Sequence, residues 1–494
     1  MVFALAFAIS AGLVALLLFN SGMLANAKTR LQNTADAAAY SAGVLQARDH
    51  NFSAYINRAM VANQVAVVQI VSLKSYFEDA AATHERMSGP LLSFESEMYP
   101  RDKTVWDAAK QLPMDSINSG MQQLAKQAVP MIDGLIKLFE TAQEAHHVAT
   151  RFDMALVAEE VVKRNDPQAR LTTGVFTAGR TVVQVTNWHD ATRRHRANDQ
   201  SMAADRFADV TVSDQSTDAF TRSRTSMPLP AWASTVKPCE SMPYYAGSFT
   251  VFQFTHAGGS MLSADKKRWL ALDASLGGGV ATCLFLVPCG PIVCPLNVTI
   301  PLVDDNVVGG SGGGLAGPAG GYDSTRGYKN NPSASADYGG ALVNPQAMIP
   351  ARLRYQEGPG ETLDGEGGLQ DYYRDVASPA AAIPDQTPEH NGGAHAVTFE
   401  VERPGATVRT SGKFLAGAQN VRLDDAMKSD TLKALSSAHA YFYRPNGEDS
   451  SRFSRGGWQR ADGKTETANL FSPYWQARLV DRSQADRAAS WAAH

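Results

Sequence analysis

The stretch TRLQNTADAAAYSAGVLQAR, residues 29–48, follows an apolar opening with almost no punctuation between the two. It is rich in alanine, and the residue near the joint that weakens a helix is Gly22. A lone glycine is tolerated inside a helix. Leu31, Ala35, Ala38, Ala42 and Leu45 fall at steps of four and three, a heptad-like seam. Its small members would let a neighbouring helix approach closely. Gln32, Asn33 and Asp36 take the other faces. The simplest structure is one helix that leaves a bilayer and continues into water. An amphipathic helix packed on its own domain explains the same seam, and the two readings are compatible.

Residues 1–27 carry no charge, and Lys28 is the first charged residue. Residues 1–19, MVFALAFAISAGLVALLLF, are almost wholly apolar. At ~1.5 Å per residue they span roughly 28 Å, close to a bilayer core. A cleaved signal peptide is the competing reading. Ala25 and Ala27 in ANAK fit a small-x-small cleavage site, but the basic lead-in that such peptides favour is missing. The retained anchor is therefore preferred. Either way the remainder of the chain is exported.

The four cysteines agree with export. Cys239, Cys283, Cys289 and Cys294 lie in one window, as a disulfide framework does. Their spacing lacks the tight C-x2-C knuckle of zinc sites, and no His follows at ligand spacing. If TCLFLVPCGPIVCPL turns near Pro288 and Cys289, Cys283 stands opposite Cys294 and leaves Cys289 for Cys239. Two other pairings exist.

The 494 residues have room for two to four domains, and the net charge of −4 gives no basic footprint for nucleic acid. After the opening helix, residues 52–77 show helical spacing interrupted by Asn57, Arg58, Asn63, Gln64 and Gln69, which reads as a second, core helix. Residues 103–200 continue helical in character. In the second half, AVTFEVER alternates Val397, Phe399 and Val401 against Thr398, Glu400 and Glu402, the pattern of a half-buried strand. SFTVFQFTH, VATCLFLVP and IVCPLNVTI are further strand candidates. The tract GGSGGGLAGPAGGYDS, 309–324, is too poor in side chains to pack and reads as a flexible loop.

No constellation argues for catalysis. The glycine tract contains chance matches to phosphate-binding and nucleophile-elbow patterns, without the strand–turn–helix that either needs. His146 and His147 are adjacent and read as surface or capping residues. Asp304, Asp305, Asn306, Asp364 and Glu366 do not match calcium-loop spacing. No cofactor, metal or small-molecule substrate is expected.

KTRLQNTADAAAYSAG, just after an apolar helix, resembles the TadE/TadG-like proteins of bacterial Flp (Tad) pilus assembly. Leu31, Gln32, Asn33, Ala35, Asp36, Ala37, Ala38, Ala39 and Tyr40 carry the motif. Residues 51–69 and the tail at 434–480, with Tyr474, Trp475 and Arg478, look like a large TadG-related subgroup. The resemblance implies a single-pass protein of the bacterial inner membrane whose pilin-like helix carries a periplasmic or extracellular domain. It implies a structural role in pilus assembly or secretion, no enzyme activity, and other pilin-like or Tad proteins as partners. An adhesin on a helical stalk is the rival. The expected fold is α+β. Residues 1–27 form a transmembrane anchor, 28–78 a helical stalk, 79–225 a mainly helical region, and 226–494 a β-rich domain with the loop at 309–324.

Overall fold

A computed structural model describes residues 1–86, 108, 111–190, 192–194, 211–213, 215–222, 224, 226–233, 241–262, 269–301, 311–316, 362–363, 374–376, 396–410, 431–442 and 470–492. In chain order the helices are α1 (Val2–Arg86), α2 (Met114–Asn165), α3 (Val175–Asp190), α4 (Ala219–Arg222) and α5 (Gln484–Ala492). The strands are β1 (Arg170–Leu171), β2 (Thr192–Arg194), β3 (Ser226–Ala233), β4 (Tyr245–Leu262), β5 (Trp269–Cys289), β6 (Ile292–Pro301), β7 (Ser311–Ala316), β8 (Thr362–Leu363), β9 (Arg374–Val376), β10 (Val397–Pro404), β11 (Thr431–Phe442) and β12 (Trp475–Val480). The architecture is α+β: a long apolar helix, a helical region, then antiparallel sheets.

The α1 helix is continuous over 85 residues, about 128 Å of rise. A separate second helix at 52–77 is therefore corrected: no proline precedes Pro90, so nothing between Gly43 and Phe52 ends the hydrogen-bond ladder. Its opening is long and apolar enough to cross a membrane, and the most apolar part of it is not buried.

The chain forms two compact units interleaved in sequence. One comprises Met1–Arg58, Glu140–Arg194 and Arg374–His494; the other comprises Ala59–Phe139 and His195–Tyr373.

In the first unit β1, β10, β11 and β12 form an antiparallel sheet in that order. The seam of α1 lies in its core. Leu31, Ala35, Ala38, Ala39 and Ala42 are fully buried among Phe399, Val401, Ala434 and Ala438 of the sheet and Met154, Ala158 and Val162 of α2. Leu45 is partly buried against the same cluster. The seam is filled by the chain's own elements. Its residues are small because the helix backbone lies close to the sheet. A Cβ added at Gly43 would stand 3.2 Å from Ala438 Cβ and 3.5 Å from Ala477 Cβ. Ala38→Leu, at the centre of this contact, should cost about 1–3 kcal/mol by overpacking. Thermal melting of the purified full chain checks it; an unchanged transition would mean that the seam has room for a larger side chain.

β10 is buried on both faces from Val397 to Arg403, which corrects the half-buried expectation. Val397, Phe399 and Val401 enter the core, while α3 meets the polar residues. Thr398 N–H donates to Gln184 Oε1 (2.8 Å), and Thr181 Oγ1 donates to the Thr398 carbonyl (2.7 Å). Those side chains satisfy the backbone of β10 beyond its two-residue pairing with β1.

In the second unit β3, β4, β5, β7 and β8 form a sheet in that order, with β6 also on β5. The strand expectations at 248–256, 280–288 and 292–300 fall within β4, β5 and β6. Residues 311–316 of the glycine tract are not a loop but strand β7, paired with Trp269–Ala274 of β5. Ladder bonds need only backbone, so bare glycines can lie along a neighbour. The other residues of the 309–324 tract lie outside the described residues.

The cysteine pairing is also corrected. The β5–β6 turn falls at Gly290 and Pro291, two residues later than expected, with Gly290 at φ 82°. Cys283 then stands opposite Val298, and Cys289 opposite Ile292. Cys289 and Cys294, diagonal neighbours on one face with Cα atoms 5.8 Å apart, are joined. Cys283 is itself disulfide-bonded; Cys239 lies outside the described residues.

Candidate functional site

The buried stripe that begins at Leu31 continues along α1 in polar residues: Gln46, Asp49, Ser53, Asn57, Gln64, Ser75 and Asp79 are all buried. Buried polar groups need partners, and in the first unit these come from the chain's far end. Gln46 Oε1 accepts from Ala440 N–H (3.1 Å). Asn51 grips the backbone of Trp475 twice, accepting from its N–H at 3.0 Å and donating to its carbonyl at 2.9 Å. Asn57 donates to the Leu470 carbonyl (2.8 Å), and Arg58 Nε to that of Phe471 (2.5 Å). Thus the two stretches that carry the likeness to the large subgroup, 51–69 and the tail, meet each other. Of the polar residues that seemed to interrupt a core helix, Asn57 and Arg58 hold the entry to β12.

One turn away Asp49 binds two histidines. His146 Nδ1 lies 2.7 Å from Asp49 Oδ1, and His147 Nδ1 lies 2.5 Å from Oδ2. Burial opposes ionisation of Asp49, but these hydrogen bonds and the nearby histidines hold its carboxyl well below the usual carboxylate range. His147 is buried, with Nε2 3.0 Å from the His189 carbonyl, so it is an interior connector between α2, α1 and α3 rather than a surface residue. Trp188 completes the group, donating to His50 Nε2 at 3.1 Å.

The second unit holds a denser network. Asp273 is fully buried and accepts a two-pronged contact from Arg224, Nε to Oδ1 and Nη2 to Oδ2, both 2.7 Å. Ser75 also donates to Asp273. His256 lies between two carboxylates, Nε2 3.1 Å from Asp273 Oδ1 and Nδ1 3.0 Å from Asp79 Oδ2. Ser275 Oγ donates to Asp79 Oδ2 at 2.5 Å. Gly258 is needed beside it, because a Cβ there would stand 1.9 Å from Asp273 Oδ1.

Ser, His and Asp together resemble the parts of a nucleophilic site, but the electrostatics oppose that chemistry. Burial pushes the His256 pKa down, yet hydrogen bonds and charges from Asp273 and Asp79 outweigh it and raise it to about 9. A ring protonated at neutral pH, with both nitrogens facing carboxylates, cannot take a proton from Ser275. The arrangement locks α1 to β4 and β5. Among the described residues, no group of three or more His, Cys, Asp or Glu is placed to hold a metal ion.

A pH dependence follows. His256 titrates from an ordinary value of 6.5 when unfolded to about 9 when folded. Its stabilisation is full below about 6.5 and is lost as pH rises through about 9, a change of order 3 kcal/mol. Urea midpoints between pH 6 and 9.5 should fall, and the His256→Gln variant should show a smaller fall. Equal slopes for the two proteins would remove His256 as the cause.

Of the sequence-derived residues, Gln32 bonds the Leu435 carbonyl (3.1 Å) and Asp36 (2.8 Å), while Asn33 and Tyr40 are exposed. Trp475 is buried beside Phe442, Tyr474 packs on the same cluster, and Arg478 Nε donates to His439 Nε2 at 3.0 Å. The sequence reading missed Asp49, His50, Trp188, Arg224 and His256. For Asp49 the signal present was polar residues continuing an apolar seam at steps of four and three, whereas Trp188, Arg224 and His256 lie on other elements and had none.

No curated protein and no solved structure matches the chain. Residues 1–49, the membrane-length segment together with the seam, match the Tad family model, Flp pilus-assembly TadE/G-like, and this match supports a role related to pilus assembly.

Proposed function

We propose that the chain is a membrane-anchored, pilin-like component of Flp pilus assembly or its associated secretion, with a structural rather than an enzymatic role. Residues 1–27 serve as the inner-membrane anchor, and the bulk of the chain is periplasmic or extracellular. Other pilin-like or Tad proteins are its partners. One observation carries the reading: an uncharged, exposed segment runs without a break into the helix that bears the family motif. The disulfide agrees with an oxidising compartment. Deleting the gene should abolish Flp pili. Restoring them should require residues 1–27, and intact mass should find those residues on the membrane protein. Pili unchanged in the deletion strain would overturn the role; a mature chain starting at Lys28 would overturn the anchor.

A second reading, an adhesin or binding module, is favoured by the β5–β6 hairpin. Residues 274–303 contain no charge, and Leu286, Ile292, Val293, Leu296 and Val298 are exposed around the disulfide. Such an apolar patch marks an interaction surface. Ile292→Ser with Val293→Ser separates the readings: loss of surface attachment with pili intact supports the adhesin.

A further inference from the structure

The α2 helix carries two apolar faces, one of them outward. On the inward side Ala125, Val129, Ile136, Met154, Ala158 and Val162 are fully buried. The same buried side also takes in Asp133, Glu140, Gln143, His147 and Thr150. Away from it, Leu124, Met131, Leu135, Leu138 and Phe152 are between 39% and 71% exposed. The buried polar face has partners, such as Asp49 for His147 and Asn57 for Gln143. The outer apolar face is ordered by a repeat. Every seventh residue from Ile117 to Phe152 is apolar, and so is every residue four after one of these, from Met121 to Leu156. A period of seven keeps a stripe in register along another helix wound around it.

We propose that this stripe pairs α2 with α2 of a second copy of the chain. Its length, Ile117 to Leu156, is about 60 Å at 1.5 Å per residue; at the width of a helix, ~12 Å, it covers roughly 700 Å². That is close to the ~800 Å² each partner gives to a stable specific interface. The flanks suit self-pairing. Gly120, Gln127, Gly134, Thr141, Val148 and Ala155 on one side carry no charge, and among Asn118, Ala125, Ile132, Phe139, His146 and Asp153 on the other only Asp153, near the end of the stripe, is a carboxylate, so two copies meet with little like-charge repulsion. The same flanks lack the Lys and Arg rows of helices that lie on anionic membranes. The proposal does not depend on the pilus role.

The test uses the full chain in isolated membranes. The cysteines described are disulfide-bonded, so an added thiol is distinctive. Leu135→Cys and Leu138→Cys lie near the middle of the stripe and should meet their counterparts whichever way the two helices run. With a short bis-maleimide each should give a species of twice the mass. Ser119→Cys, exposed but off the stripe, should not. Adding Met131→Glu and Leu135→Glu to the Leu138→Cys chain should abolish the doubled species without moving its melting temperature. Overturning results are a doubled species from Ser119→Cys as well, a product of some other mass, or no product. A fluorophore at Leu138→Cys quenched by brominated phospholipid, with no doubled species, would assign the face to the membrane and overturn the pairing.

Discussion

Asp273→Ala is expected to lower the melting temperature by roughly 10 °C. The carboxylate is fully buried and answers two cations, Arg224 and His256, as well as Ser75. Removing one partner of a buried pair costs about 3–5 kcal/mol, because the remaining charge loses an interaction that offset its burial. Each kcal/mol moves the transition of a unit this size by about 2–4 °C. A double variant makes the argument sharper. Arg224→Met with Asp273→Leu removes both charges and leaves apolar groups of similar bulk, so it should lose less than the two single losses added together. Melting of the purified full chain measures all three variants. Additive losses would show that the pair does not act as a unit, and a single variant melting with the wild type would show that water reaches the site.

Half of this site was legible in the sequence, and the division has a physical cause. Leu31, Ala35, Ala38 and Ala42 announce a seam because apolar residues repeat at helical spacing, and burial by the sheet leaves that pattern intact. The same stripe continues as Gln46, Asp49, Ser53 and Asn57, where local periodicity counts polar residues as breaks. Their partners lie far along the chain, at Ala440, His147, Gln143 and Leu470, and spacing carries no information about those distances. The β7 strand escaped for a related reason. Strand signals come from side chains, whereas the glycines of Ser311–Ala316 offer the ladder only their backbone. The disulfide was misread by two residues of turn placement, which is enough to shift each opposed pair in the hairpin. His146 and His147 gave no periodic cue, since adjacent residues on a helix point to different faces and still reach one carboxylate.

Trp188→Ala should destabilise the first unit by about 3–5 kcal/mol, the usual cost of removing a large core aromatic. The side chain is fully buried in the cluster that holds the α1 seam. Its ring lies 4.8 Å from that of His147 and 5.7 Å from that of His50, and His50 in turn lies 4.4 Å from Trp475. The indole therefore ties α3 to the histidines of α1 and α2, and through His50 to the start of β12. Two contributions are lost together, the ring volume and the Nε1 hydrogen bond to His50. Trp188→Phe separates them, because it keeps most of the packing and removes the donor. That variant should lose about 1 kcal/mol from the hydrogen bond, with a small packing term besides. If packing dominates, Phe recovers most of the melting temperature that Ala loses. Equal losses for Phe and Ala would instead assign the stability to the hydrogen bond and make His50 the residue on which the docking of α1 depends.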